Sequence, residues 1–199
     1  MRDPTPSSMP GARLMVMLSG AGRTLRNLLD SIDNELLAAQ IVAVVANRDC
    51  GGIELAREHA IPAEVIPGGP DADTIDGMVL RHRVDWIILA GYLRLIPITD
   101  RISGRVINIH PSLLPAFGGP GMHGMRVHTA AIEAAKRGDI TESGCTVHYA
   151  DARYDTGRII LQRRCPVLPE DTPEQLADRV FDLEREAYPE ALRMIISET

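Results

Sequence analysis

Three short runs, residues 14–18, 41–46 and 86–90, are apolar at every position. A strand with no polar face must be covered on both sides, the condition met in a parallel sheet flanked by helices. Helical periodicity between the runs agrees. Leu25, Leu28, Leu29 and Ile32 follow the first run at helical spacing, and residues 53–60 and 73–83 read as helices between the second and the third. Residues 63–66 form a weaker strand, and 106–109 add another. The alternation predicts an α/β fold built on a single open, mostly parallel twisted sheet with flanking helices. The last third departs from it: residues 127–137 read as a helix, and 144–149 and 158–165 as two strands around the turn Asp155-Thr156-Gly157, an antiparallel excursion near the C-terminus. Residues 172–196 close the chain as an amphipathic helix, with Thr172 as N-cap, Pro173 at the first position and Gln175 completing a capping box.

A chain of 199 residues without internal repeats suits one hydrophobic core. We therefore expect one domain over residues 13–199, preceded by a flexible arm, 1–12, rich in Pro and Ser. A formal charge of -6 provides no basic field for nucleic acid, so any anionic ligand must be held by local donors. Cys50, Cys145 and Cys165 are odd in number and widely spaced, which predicts neither a disulfide framework nor a zinc site, and no metal is expected. The first dozen residues, MRDPTPSSMPGA, lack the apolar core of a signal peptide, and no apolar run approaches the roughly 18 residues needed to span a bilayer. The expectation is a cytoplasmic protein without a membrane partner.

Three segments carry candidate chemistry. Ser19-Gly20-Ala21-Gly22-Arg23-Thr24 joins a strand to a helix, where free backbone N–H groups and the helix dipole favour an anion. Leu25 stands where the dinucleotide fingerprint would place its third glycine, so this is not that motif, and glycine there serves tight turns equally well. Asn108 and His110 alternate with Ile107 and Ile109 at a strand end, which turns both polar side chains the same way. An amide and an imidazole side by side offer donors to one developing oxyanion, as acyl transfer requires. Asp155, at its glycine turn, is placed to pair with a histidine from another strand, and such a pair raises the imidazole pKa. His148 reads as support for the site; His59, His82 and His123 read as surface or loop residues. Residues 110–125, with prolines at 111, 115 and 120 and no periodicity, form a long loop directly after a buried strand, a position that is commonly functional.

The runs SGAGRTLRNL, LAGYLRLI, INIHPSLLPAFGG and GCTVHYADARYDTGRIILQ occur in that order. Together they resemble the phosphoribosylglycinamide formyltransferases, folate enzymes of purine synthesis within the wider formyltransferase superfamily, and the resemblance runs from Arg13 to Ile196. It implies a formyltransferase fold with a Rossmann-like N-terminal half. It also implies 10-formyltetrahydrofolate as co-substrate and the amine of 5-phosphoribosylglycinamide as acceptor. By the same resemblance Asn108 and His110 stabilise a tetrahedral intermediate and Asp155 orients the imidazole. The folate pocket maps onto Leu93, Arg94, Leu95, Ile96, Asn108 and the Asp151, Ala152, Arg153, Tyr154, Asp155 loop. The nucleotide maps onto Gly22, Arg23, Thr24, Leu25 and, for ribose hydroxyls, Glu184. The implied partners are small molecules, with no nucleic acid, and the chain acts as a monomer or homodimer. The first loop reads GAGRT where relatives often have GNGSN, the 66–78 region is short and lacks an arginine common there, and AFGGPGMHGMRVH is longer than some versions. Two readings stay open beside this one: a formyltransferase for an amino sugar nucleotide, and a non-catalytic folate- or nucleotide-binding module that kept the fold.

Overall fold

The computed structural model describes residues 11–198, so the expected arm lies, up to residue 10, outside the described residues. Seven strands and five helices follow one another as β1 (Ala12–Leu18), α1 (Arg23–Asp33), β2 (Ala39–Ala46), α2 (Gly51–Glu58), β3 (Ala63–Val65), α3 (Ala72–His82), β4 (Trp86–Leu89), β5 (Val106–His110), α4 (Met125–Lys136), β6 (Glu142–Tyr149), β7 (Ile159–Pro166) and α5 (Pro173–Ser197). They form one sheet in the order β3-β2-β1-β4-β5-β6-β7. The first five strands are parallel and the last two pairings antiparallel, so the predicted mostly parallel sheet and its antiparallel excursion are both present.

The central strand β1 splits its side chains between two cores. Leu14, Val16 and Leu18 join one core with residues of α1, α2, α4 and α5, while Met15 and Met17 join the other with Ile75, Met78 and Val79 of α3. The register between β1 and β2 slips after Leu14, which pairs with Ile41, whereas Met15 pairs with Ala43. Val42 is the extra residue, and the bulge is why Val42 and Ala43 both belong to the α3-side core. At the far end Thr172 and Gln175 form the expected capping box at the start of α5. Deep in α5, the buried Tyr188 hydroxyl lies 3.0 Å from the carbonyls of both Leu89 and Ile107, tying the helix to the ends of β4 and β5.

The chain runs outward from β1 through β2 to β3, then returns to place β4 on the opposite side of β1. Such a reversal opens a crevice at the carboxyl ends of β1 and β4, the usual ligand position in open α/β sheets. The Gly20–Gly22 turn leaves β1 there, and residues 91–96 leave β4 there.

Candidate active site

A cleft of about 460 Å³ occupies that crevice and extends along β5 to α5. Asn108 and His110 enter it from the end of β5, with Ile107 and Ile109 turned into the opposite core, as the alternation predicts. Opposite Asn108 in the antiparallel register stands His148 of β6. Asp155 arrives from the β6–β7 connection with a left-handed backbone (φ 56), a conformation that Asp tolerates better than most residues. Gly157 lets this turn close. A Cβ there would overlap the Tyr149 carbonyl, beside the hydrogen bond from Tyr149 N–H to the Arg158 carbonyl.

The polar groups meet in one cluster. Asp155 Oδ2 lies 3.6 Å from His110 Nδ1, and Asp155 Oδ1 lies 3.6 Å from His148 Nε2. The Asn108 amide donates to His148 Nε2 at 3.0 Å and to Asp155 Oδ1 at 3.4 Å. His148 Nδ1 faces the Tyr149 carbonyl at 2.9 Å; a carbonyl only accepts, so that nitrogen carries the proton and Nε2 receives the Asn108 amide. The Asp155 carboxylate also accepts the backbone N–H of Gly119 at 2.9 Å. Burial opposes its ionisation, but the two imidazoles and the Gly119 N–H outweigh burial and hold its pKa below the usual carboxylate value.

His110 corrects one expectation. Only 5% of its surface is exposed, and burial, joined by the charge of His148, lowers its pKa against the Asp155 charge and the Phe117 carbonyl, which raise it. The ring is therefore biased toward the neutral form, not toward imidazolium. Its Nε2–H donates to the Phe117 carbonyl at 2.8 Å, in a residue that itself has a left-handed backbone (φ 55). Next to Phe117, a Cβ on Gly118 would crowd the Leu114 side chain and the Asp155 Cβ, so glycine is what admits the loop to this carboxylate.

The loop is pinned from below. Buried Thr146 Oγ1 donates to the Ser112 carbonyl at 2.6 Å and accepts from Leu114 N–H at 3.0 Å and Gln162 Nε2 at 2.9 Å. Thr146→Val leaves Leu114 N–H without this partner inside the protein. It is expected to cost about 1–3 kcal/mol in denaturant unfolding. An unchanged midpoint would mean that the loop is not held there.

Around the cluster the cleft changes character. Leu93 and Leu95, 41% and 46% exposed, and Tyr154 form an apolar wall, joined by a hydrogen bond from Leu95 N–H to the Tyr154 hydroxyl at 3.1 Å. Arg94, Ile96, Asp151 and Arg153 also line it, Ile96 from the buried side; Ala152 is exposed and does not. At the other end lie Arg23, Thr24 and Glu184. Gly22 and Leu25 do not line the cleft: Gly22 packs on Gly52 of α2, and the Leu25 side chain is fully buried in the core. Leu25 can contribute only a backbone N–H, one of the first-turn groups of α1, where no side-chain cap and no acidic residue compete for a ligand.

The Glu184 carboxyl sits deep in the cleft although the residue as a whole is half-buried, and desolvation pushes its pKa up to about 7 against the pull of Arg23. Because the folded-state pKa stands above the ordinary 4.5, this group contributes stability that is fully present below 4.5 and lost as pH rises through about 7. Glu184→Gln cannot ionise. Its melting temperature is expected to gain on the wild type progressively between about pH 5 and pH 8; a pH-independent difference would contradict the assignment.

His128, in the first turn of α4, is a lining residue that sequence reasoning missed. It is 5% exposed, its Nδ1 has no hydrogen-bond partner among the described residues, and burial lowers its pKa, followed by the charge of His110. A polar residue one turn before Ala131 and Ile132, on the buried face of the helix, was the available signal. Among the described residues no group of three or more His, Cys, Asp or Glu is arranged to hold a metal ion. No described helix is long and apolar enough to cross a membrane.

The sheet and the Asn-x-His end of β5 with its facing aspartate define a formyl transferase: the family of that description matches residues 12–192, and the chain belongs to it. Within the family it is similar to the chloroplastic phosphoribosylglycinamide formyltransferase of Arabidopsis thaliana, 39% identical over an alignment of 197 residues that covers 94% of this chain and 66% of that protein. It is 41% identical over 201 residues to the trifunctional purine biosynthetic protein adenosine-3 of Drosophila pseudoobscura pseudoobscura, covering 96% of this chain and 14% of that one. The chain thus spans just under two thirds of the plant relative's length and a small part of the insect one's. Among solved structures, glycinamide ribonucleotide transformylase 1 from Symbiobacterium toebii superposes with a TM-score of 0.81 at 32% identity, covering 98% of this chain and 92% of that one.

Proposed function

We propose that this protein transfers the formyl group of 10-formyltetrahydrofolate to the amine of 5-phosphoribosylglycinamide, in de novo purine synthesis. The observation that carries the reading is the convergence of Asn108, His110 and Asp155 at one end of a cleft. The cleft has an apolar wall on one side and an uncapped helix N-terminus on the other. The names of the relatives support this choice of acceptor.

The amine attacks the formyl carbon, a C–N bond forms, and the carbonyl electron pair moves onto oxygen. Asn108 and His110 donate to that oxyanion. Collapse breaks the bond to the folate nitrogen, which takes up a proton while the former amine gives one up, leaving tetrahydrofolate and the formamide. Asp155 orients the imidazole and assists the proton transfer through water. The His110 Nε2–H now goes to the Phe117 carbonyl, so productive binding exchanges that carbonyl for the oxyanion. The pterin end of the folate lies along Leu93, Arg94, Leu95 and Ile96 and the 151–155 loop. The nucleotide phosphate lies at the start of α1, on the N–H groups of residues 22–25 and on Arg23, with Glu184 holding the ribose.

The same reading takes residues 13–199 as one formyltransferase domain. It places the protein in the cytoplasm as a monomer or homodimer acting on small molecules, without nucleic-acid or membrane partners. The test is steady-state release of tetrahydrofolate with glycinamide ribonucleotide, with an amino sugar nucleotide, and with no acceptor. Turnover with the ribonucleotide alone is expected. Turnover with the sugar nucleotide alone would move the protein to another acceptor, and ligand binding without turnover would make it a binding module.

A further inference from the structure

Arg23 is the first residue of α1, and 61% of its side chain is exposed. An arginine so exposed ordinarily samples many rotamers, and fixing one costs conformational entropy. Here the guanidinium carbon lies 3.7 Å from the centroid of the Phe181 ring of α5, and both residues line the cleft. Stacking uses the face of the guanidinium and leaves its N–H edge available. The acidic neighbour that approaches that edge, Asp178, is 78% exposed and stands 3.9 Å away, too far for a hydrogen bond and weak enough for a dianion to displace.

Resting on the nucleotide reading above, we propose that Phe181 is a positioning residue: its ring holds the Arg23 guanidinium over the start of α1, so that the cleft binds a phosphate dianion there. Two sources of positive potential then meet at one point, namely the guanidinium and the uncapped first-turn N–H groups of α1, which carry the positive end of its dipole. The pairing also gives the GAGRT loop a role that its glycines alone do not supply. Phe181 touches no reacting atom in this scheme. Its effect falls on binding of the phosphate and not on formyl chemistry.

The test is calorimetric binding of ribose 5-phosphate to the whole chain, with ribose as the probe lacking phosphate, in the wild type, Arg23→Ala, Phe181→Ala, Phe181→Tyr and the double Arg23→Ala/Phe181→Ala variant. Arg23→Ala is expected to weaken binding about tenfold or more, and Phe181→Ala about fivefold. The double variant should be no weaker than Arg23→Ala by more than about twofold, because the ring acts through the guanidinium. Phe181→Tyr should bind like the wild type. Losses that multiply in the double variant, normal binding by Phe181→Ala, or no preference of the wild type for the phosphate ester would each overturn the proposal. Failure of the broader reading looks different: phosphate binding and its coupling persist, but no formyl group reaches glycinamide ribonucleotide.

Discussion

Asp155→Asn is expected to lower kcat by about a hundredfold or more while melting within a few degrees of the wild type. Asn tolerates the left-handed backbone at this position and keeps one acceptor for the Gly119 N–H, so the change is mainly one of charge. The charge matters because His110 is buried. Burial already biases the ring toward the neutral form, and the carboxylate 3.6 Å from Nδ1 is the largest opposing influence. Removing it leaves burial unopposed by that charge, so the His110 pKa, followed by NMR across pH, should fall further in the variant. A loss of activity with the His110 titration unmoved would mean that Asp155 acts on the loop through Gly119 and not on the imidazole. Near-normal turnover would remove Asp155 from the mechanism.

Gly157→Ala tests the same carboxylate through the backbone. The added methyl overlaps the Tyr149 carbonyl, and neither partner is the far end of a flexible side chain. The turn must move or the Tyr149–Arg158 pairing must open. Overpacking of this kind costs about 1–3 kcal/mol, occasionally more. Displacing Asp155 by the same shift is expected to lower kcat by about a hundredfold, the penalty of a misplacement near 1 Å. Gly77→Ala, in α3 and outside the cleft, is the control: a Cβ there meets nothing within 4 Å, and the variant should be at least as stable as the wild type with unchanged turnover. If Gly157→Ala is as stable and active as that control, the turn is not what fixes Asp155.

Much of this architecture is legible because the fold depends on periodicity. The unbroken apolar runs at 14–18, 41–46 and 86–90 lie within or largely within β1, β2 and β4, and the Thr172–Gln175 capping box is formed as read. Differences at element ends have local causes. The sequence pattern starts the second helix at residue 53, but the helix begins at Gly51, with Gly52 held against the Leu18 side chain, where a Cβ would collide; glycine's poor helix propensity hides a packing requirement. The pattern carries the same helix through Ala60, but it ends at Glu58, and Ala60 turns left-handed (φ 54).

The site was legible as an inventory and less so as an environment. Asn108 and His110 follow from strand alternation and Asp155 from its turn, whereas the sign of the His110 shift depends on how deeply the ring is buried, which no local pattern encodes. Phe117, Gly118 and Gly119 were hidden for a related reason. Their contacts to His110 and Asp155 arise from an irregular loop whose positive φ angles at Phe117 and Gly119 are set by distant partners. Phe181 lies far from Arg23 in sequence, and an aromatic on an amphipathic helix reads as ordinary packing until its partner is in place.

The most direct measurement follows the labelled formyl carbon through one turnover. Enzyme in excess over 10-formyltetrahydrofolate carrying isotope in its formyl group is mixed with glycinamide ribonucleotide and quenched over time, for the wild type and for His110→Ala. Stoichiometric label in the formylated nucleotide for the wild type, with the rate collapsing in the variant, is the predicted result. Label released as free formate, or transfer at equal rates in both proteins, would contradict it.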